Sequence, residues 1–185
     1  MLLSPMLQRL KNARDLHEAL HVGMHDLMSL LGAERGNVQL VGRDDGLVVV
    51  AQHGLTTRFL DAFRRVSTTS ASVCGRAAAA GELVFVADVA QDAEFGPYLP
   101  VARSEGITSI LSCPLTTGDQ EWVGVVSAHF ALRADPTPLE RQSVGEYGEA
   151  LARTVDQFLP RRERVEIVEA MADALRESIA ATSTP

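Results

Sequence analysis

The sequence predicts an α+β domain built on a mainly antiparallel sheet, and three features carry that expectation. Two short β-rich runs flank a Gly- and Asp-rich turn at 42–46, two more flank 116–120, and helical stripes occupy both ends of the chain. Hairpins rather than strand-helix-strand crossovers dominate, so terminal helices are expected on one sheet face and short helices and loops on the other. The 185 residues suffice for a single domain with its own core.

Ser4-Pro5 opens the first helix, a capping hydroxyl ahead of an imino acid with no N–H to lose. Met6, Leu10, Ala13, His17, Leu20, Met24, Leu27 and Leu31 then recur at steps of three and four, one stripe on a long helix ending at Gly32. Strands follow at 37–41 and 47–53. Phe59, Leu60, Phe63 and Val66 place a helix over 56–66. The Ser- and Thr-rich 67–73 is a loop, and Cys74 to Ala80 is a short helix stopped by Gly81. A strand at 83–87 leads into a long connection over 88–106, the kind of segment that often carries function.

The second hairpin comprises 107–115 and 121–132. After Pro136-Thr137-Pro138 a helix runs to about Leu159, and Pro160 breaks it. The last helix, 161 to about 181, carries Val165, Val168, Ala172, Leu175 and Ile179 at seam spacing. Two heptads suit either a coiled coil or packing on the parent domain. Residues 1–160 are therefore expected as the domain, 161–185 as a C-terminal amphipathic helix, and 182–185 as a frayed tail.

Composition narrows the function. With 17 basic against 24 acidic residues and a net charge of −7, the surface is poorly suited to neutralising phosphates, and nucleic acid is not an expected partner. Two cysteines and no secretory leader or long apolar run point to a reducing cytoplasm and no membrane span. Neither a Walker loop nor a kinase signature is present.

The run Gln39-Leu40, Ala51-Gln52-His53-Gly54-Leu55, Cys74-Gly75-Arg76-Ala77, Val86-Ala87-Asp88-Val89, Ala93-Glu94-Phe95, Gly106-Ile107, Ser112-Cys113-Pro114-Leu115 and Gly124 to Phe130 resembles a GAF domain. It is similar to the subgroup found in bacterial sensor kinases and related regulators, over roughly residues 12–158. The resemblance implies a six-stranded antiparallel sheet between a helical dimerisation face and a ligand-pocket face. It also implies a non-catalytic regulatory domain that senses an unidentified small molecule, forms homodimers through its terminal helices and signals to an effector. The alternative is a ligand-free scaffold for protein interaction.

Strand alternation locates the pocket side. In the last strand Val123, Val125, Ser127 and His129 oppose Trp122, Gly124, Val126, Ala128 and Phe130, and only the first set carries polar groups that need partners when buried. Ser127 and His129 are therefore candidate pocket residues, with Ser112 or Cys113 beside them. Cys74, Arg76, Phe95 and Tyr98 would form the lid. Arg76 offers a fork of donors to an anion or else a surface ion pair, and Phe95 and Tyr98 stack on a planar ligand or cap the core.

Other chemistries fit less well. Free-methionine-(R)-sulfoxide reductases share the GAF fold, but Val101 to Glu105, where the resemblance places their reactive thiol, contains no cysteine. No Asn-Lys, Phe, Asp-Glu series follows the last strand, as cyclic-nucleotide binding would imply. No cysteine adjoins a histidine, as covalent bilin attachment would imply. His17, His21 and His25 share a helix face at four-residue steps, but the sequence places no further ligand beside them, and no metal site or cofactor is assigned.

Overall fold

The computed structural model describes residues 3–119 and 121–182. Strands β1 (Arg35–Val41), β2 (Leu47–His53), β3 (Val84–Val86), β4 (Ser109–Thr116) and β5 (Trp122–Phe130) form one sheet in the order β2-β1-β5-β4-β3. Every neighbouring pair is antiparallel. The resemblance implies six strands; the described residues form five, the number of β-rich runs in the sequence. The helices are α1 (Leu3–Lys11), α2 (Leu16–Leu31), α3 (Thr57–Ala62), α4 (Val73–Ala80), α5 (Leu99–Glu105), α6 (Pro138–Phe158) and α7 (Arg161–Thr182).

Local chemistry explains where the helices depart from the expected bounds. The long N-terminal helix is broken, because Asp15 caps a new one: its carboxylate accepts from the Glu18 N–H at 2.8 Å, while the Arg14 N–H donates to Glu18 Oε2 at 2.9 Å. Helix α5 lies inside the stretch expected to be a connection. It carries Pro at its start, buries Val101 and Ala102, and ends on Gly106 at φ 67°. At α6 the Thr137 hydroxyl and the Glu140 carboxylate cap each other's N–H groups reciprocally. Of the expected tail, 183–185 lies outside the described residues.

The sheet separates two apolar layers. On one face α1, α2 and α6 bury Leu20, Met24, Leu27, Tyr147 and Leu151 against Val38, Leu40, Leu111, Leu115 and Val126. A Cβ at Gly23 would lie 2.7 Å from the Leu151 methyls, so the missing side chain is what lets α2 and α6 approach so closely. Asp26 links all three helices, accepting from Tyr147 Oη at 2.8 Å and Arg9 Nε at 3.1 Å. On the other face α3, α4, α5 and their connections pack Phe59, Leu60, Phe63, Val101 and Ile107 against Val49, Ile110 and Val125.

Helix α7 leaves the helical face and packs along β2 and α3. Val168 and Ala172 enter the first core; Leu175 and Ile179 lie partly buried against the second. Polar clasps fix it there. Buried Arg164 pairs with Glu121 at 2.8 Å and Asp156 at 2.7 Å, and Arg65 holds Glu169 at 2.7 and 2.8 Å. Among the described residues no helix is long and apolar enough to cross a membrane.

Candidate functional site

On the face away from α1, α2 and α6, the sheet floors a small chamber. Asn37 and Gln39 on β1, Ile110 and Ser112 on β4, and Ser127 and His129 on β5 form its floor. They meet because the strand registers align them: Asn37 pairs with Ser127, Ser127 with Ser112, and His129 with Ile110. Phe59, Phe63, Val73, Cys74 and Phe95 close it from above. The space open to the centre of a water-sized sphere is about 10 Å³, roughly what one water needs.

The floor is polar but neutral. The Ser112 and Ser127 hydroxyl oxygens are 2.7 Å apart, and His129 Nε2 lies 2.7 Å from Asn37 Oδ1. Burial, and then the nearby Arg35 cation, push the His129 pKa down to about 3, so the ring is uncharged at neutral pH. With Nε2–H donating to Asn37, Nδ1 is left as a bare acceptor, and among the described residues it has no partner. The Gln39 carboxamide, 1% exposed, makes no hydrogen bond of ordinary geometry among the described residues, and its one polar neighbour is the Cys74 thiol, whose pKa it helps to lower. Cys74 is buried with its thiol 3.3 Å from Ser72 Oγ. Burial raises its pKa, against which the Ser72 hydrogen bond acts.

The roof is an aromatic stack. Phe59 and Phe63 stack at 4.4 Å between ring centroids, and Phe59 meets His129 edge-on at 5.3 Å. Tyr98 forms a second layer behind it, 5.0 Å from Phe63 and 5.7 Å from Phe95.

Of the residues singled out from the sequence, Cys74, Phe95, Ser112, Ser127 and His129 line this chamber, whereas Arg76, Tyr98 and Cys113 do not. Arg76 turns outward to Asp92 at 2.6 Å and Glu94 at 3.0 Å. Cys113, one residue on from Ser112, necessarily points to the opposite face. There it packs beneath Gly148 of α6, and burial pushes its thiol pKa up to about 12. Trp122 and Val123 exchange the faces expected of them, because a register shift beside Leu115 inserts one residue ahead of Gly124. Asn37 and Gln39 are not among the pocket candidates drawn from the sequence, although polar residues alternating with buried Val38 and Leu40 carry the same signal as β5. Phe59 and Phe63 register in the sequence only as a helical stripe.

The GAF domain family model matches residues 15–179. Among solved structures, the chain is similar to the free methionine-R-sulfoxide reductase from Neisseria meningitidis in complex with its substrate, at 23% identity and TM-score 0.69, covering 85% of this chain and 87% of that one. It is similar to the GAF domain of a phosphoenolpyruvate-protein phosphotransferase from Coxiella burnetii, at 16% identity and TM-score 0.71, covering 84% and 91%. It is also similar to the chromophore-binding domain of a bacteriophytochrome from R. palustris, at 16% identity and TM-score 0.65, covering 85% and 60%. No curated protein sequence matches the chain.

Proposed function

The chain belongs to the GAF domain family, and from that premise we propose that it is a non-catalytic regulatory domain whose chamber receives a small uncharged molecule. One observation carries the reading: among the described residues His129 Nδ1 has no partner and the Gln39 carboxamide has only the Cys74 thiol, a weak one, beside it, and both are buried beneath aromatic rings. An unmet amide and imidazole each cost folding free energy, and a ligand or water that offers a matching donor and acceptor recovers it. The lining carries no formal charge, and Arg76, the candidate cation, is already paired with Asp92 and Glu94. Arg35, the cation that His129 senses, lies outside the lining and pairs with Glu34 at 3.6 Å, so an anion in the chamber would have no cation in contact with it.

Admission of anything larger than a water requires the aromatic roof to lift, because the closed chamber is filled by side chains. That requirement couples occupancy to structure. Phe59 and Phe63 belong to α3 and its C-terminal edge, and α3 touches α7. A ligand that favours the raised roof over the lowered one shifts α7, and α7 passes the change to a dimer mate or effector. Phe158, Val165 and Ile167, each 38–39% exposed at the α6–α7 corner, offer the apolar contact for a second copy.

The two free cysteines lie on opposite faces of the sheet, which favours a regulatory over a thiol-redox role. The narrowness of the chamber supports a second reading, a scaffold that binds no ligand. A thermal-shift screen separates them. Neutral hydrogen-bonding heterocycles and amides raise the melting temperature of the wild-type protein but not of Gln39→Leu if the chamber is a receptor. A flat response across the panel leaves the scaffold.

A further inference from the structure

We propose that a late divalent transition-metal ion, of the Zn²⁺ or Cu²⁺ class, binds on the surface between His25 of α2 and His53 at the end of β2. The four-residue spacing of His17, His21 and His25 aligns three imidazoles on α2, and the fold brings the C-terminal end of β2 alongside them, so that His53 extends the row. The ring centroids are 4.4 Å apart for His17 and His21, 6.3 Å for His21 and His25, and 4.8 Å for His25 and His53.

These separations can be compared with what chelation requires. An imidazole nitrogen lies about 2.0–2.1 Å from such an ion, which puts each ring centroid about 3.2 Å away and two rings about 4.5–5 Å apart at ordinary bond angles. The His25–His53 pair meets that distance and the His21–His25 pair does not. Because His25 and His53 are both exposed, a hydrated ion reaches them without unfolding. Among the described residues no three ionisable ligands gather into a closed site, so waters complete the coordination. Imidazole donors favour zinc and copper over magnesium or calcium.

The consequence is a tie between two elements. His25 sits on the helix that covers the first core and His53 on the edge strand that α7 packs along, so a shared ion joins α2 to β2. The sequence shows no such partner for the helical histidines, because His53 approaches them only through the fold.

The test titrates tag-free full-length protein with ZnCl₂ at neutral pH by calorimetry, in a His17→Ala background that removes the other close pair. The His17→Ala protein binds Zn²⁺, and adding His53→Ala weakens binding about tenfold and abolishes the Zn²⁺-induced rise in melting temperature. MgCl₂ gives neither signal. Both positions are exposed, and the metal-free melting temperature of each variant verifies that it folds. Equal Zn²⁺ affinity with and without His53, or equal response to Mg²⁺, overturns the assignment.

Discussion

Ser112 on β4 and Ser127 on β5 face each other across the chamber floor with their hydroxyl oxygens 2.7 Å apart. One hydroxyl donates and the other accepts, so both oxygens have a partner, and the unmet polarity of the chamber falls chiefly on Gln39 and His129. The same distinction between paired and unpaired groups sets the expected consequences of substitution.

Asn37→Ala removes the acceptor of the His129 Nε2–H and leaves a buried donor alone. The cost is about 2 kcal/mol, read from urea midpoints. A double variant, Asn37→Ala with His129→Phe, removes both partners and costs less than the sum of Asn37→Ala and His129→Phe made singly. Additive losses would show that the pair does not interact.

Gly148→Ala would place a Cβ 2.8 Å from Cys113 Sγ, beneath α6. Forcing that contact costs about 1–3 kcal/mol. The substitution Cys113→Ala, itself destabilising through the cavity it leaves, relieves the clash, so the double variant is more stable than additivity allows. Thermal melts of the four proteins measure the coupling, and a coupling of zero contradicts the packing described.

His129 makes stability depend on pH. Below the ordinary imidazole pKa of about 6.5 the unfolded chain takes up a proton at this position, whereas the folded chain refuses it until about pH 3. Stability falls as pH drops through that window, and the depressed carboxylates of Asp92 and Glu169 add a loss of the same sign at the acid end. His129→Phe removes the imidazole contribution, so its urea midpoint changes less between pH 7 and pH 5 than that of the wild type. An equal change in both proteins would place the ring in water.

Arg164 anchors α7 through Glu121 and Asp156. Arg164→Ala frees two carboxylates and opens a gap under the helix. Because both partners retain contact with water, the expected cost is of the order of 2 kcal/mol, less than for a fully buried pair. Limited proteolysis near Pro160 accelerates in the variant. Unchanged cleavage would mean that the clasp contributes nothing.

The alternation of β5 makes Ser127 and His129 legible, and along β4 the same rule puts Ser112 and Cys113 on opposite faces without saying which one points inward. The same argument applied to β1 finds Asn37 and Gln39, whose polar side chains alternate with Val38 and Leu40. Helix α5 stayed hidden because Pro100 reads as a break, although at a first turn proline removes no hydrogen bond. The course of α7 was ambiguous for a physical reason: Val168 and Ala172 fit a coiled-coil seam and a domain core equally well. The size of the chamber depends on how Phe59, Phe63 and Phe95 close over it, and no periodicity encodes that packing.

Nitrogen-15 spectra of the histidine side chains test the receptor reading most directly. On titration with the neutral compound giving the largest thermal shift, the account predicts that the Nδ1 resonance of His129 moves as its lone pair gains a donor, while His53 stays still. A compound that stabilises the protein yet leaves His129 Nδ1 unmoved would show that binding occurs elsewhere, and would contradict the chamber as the sensing site.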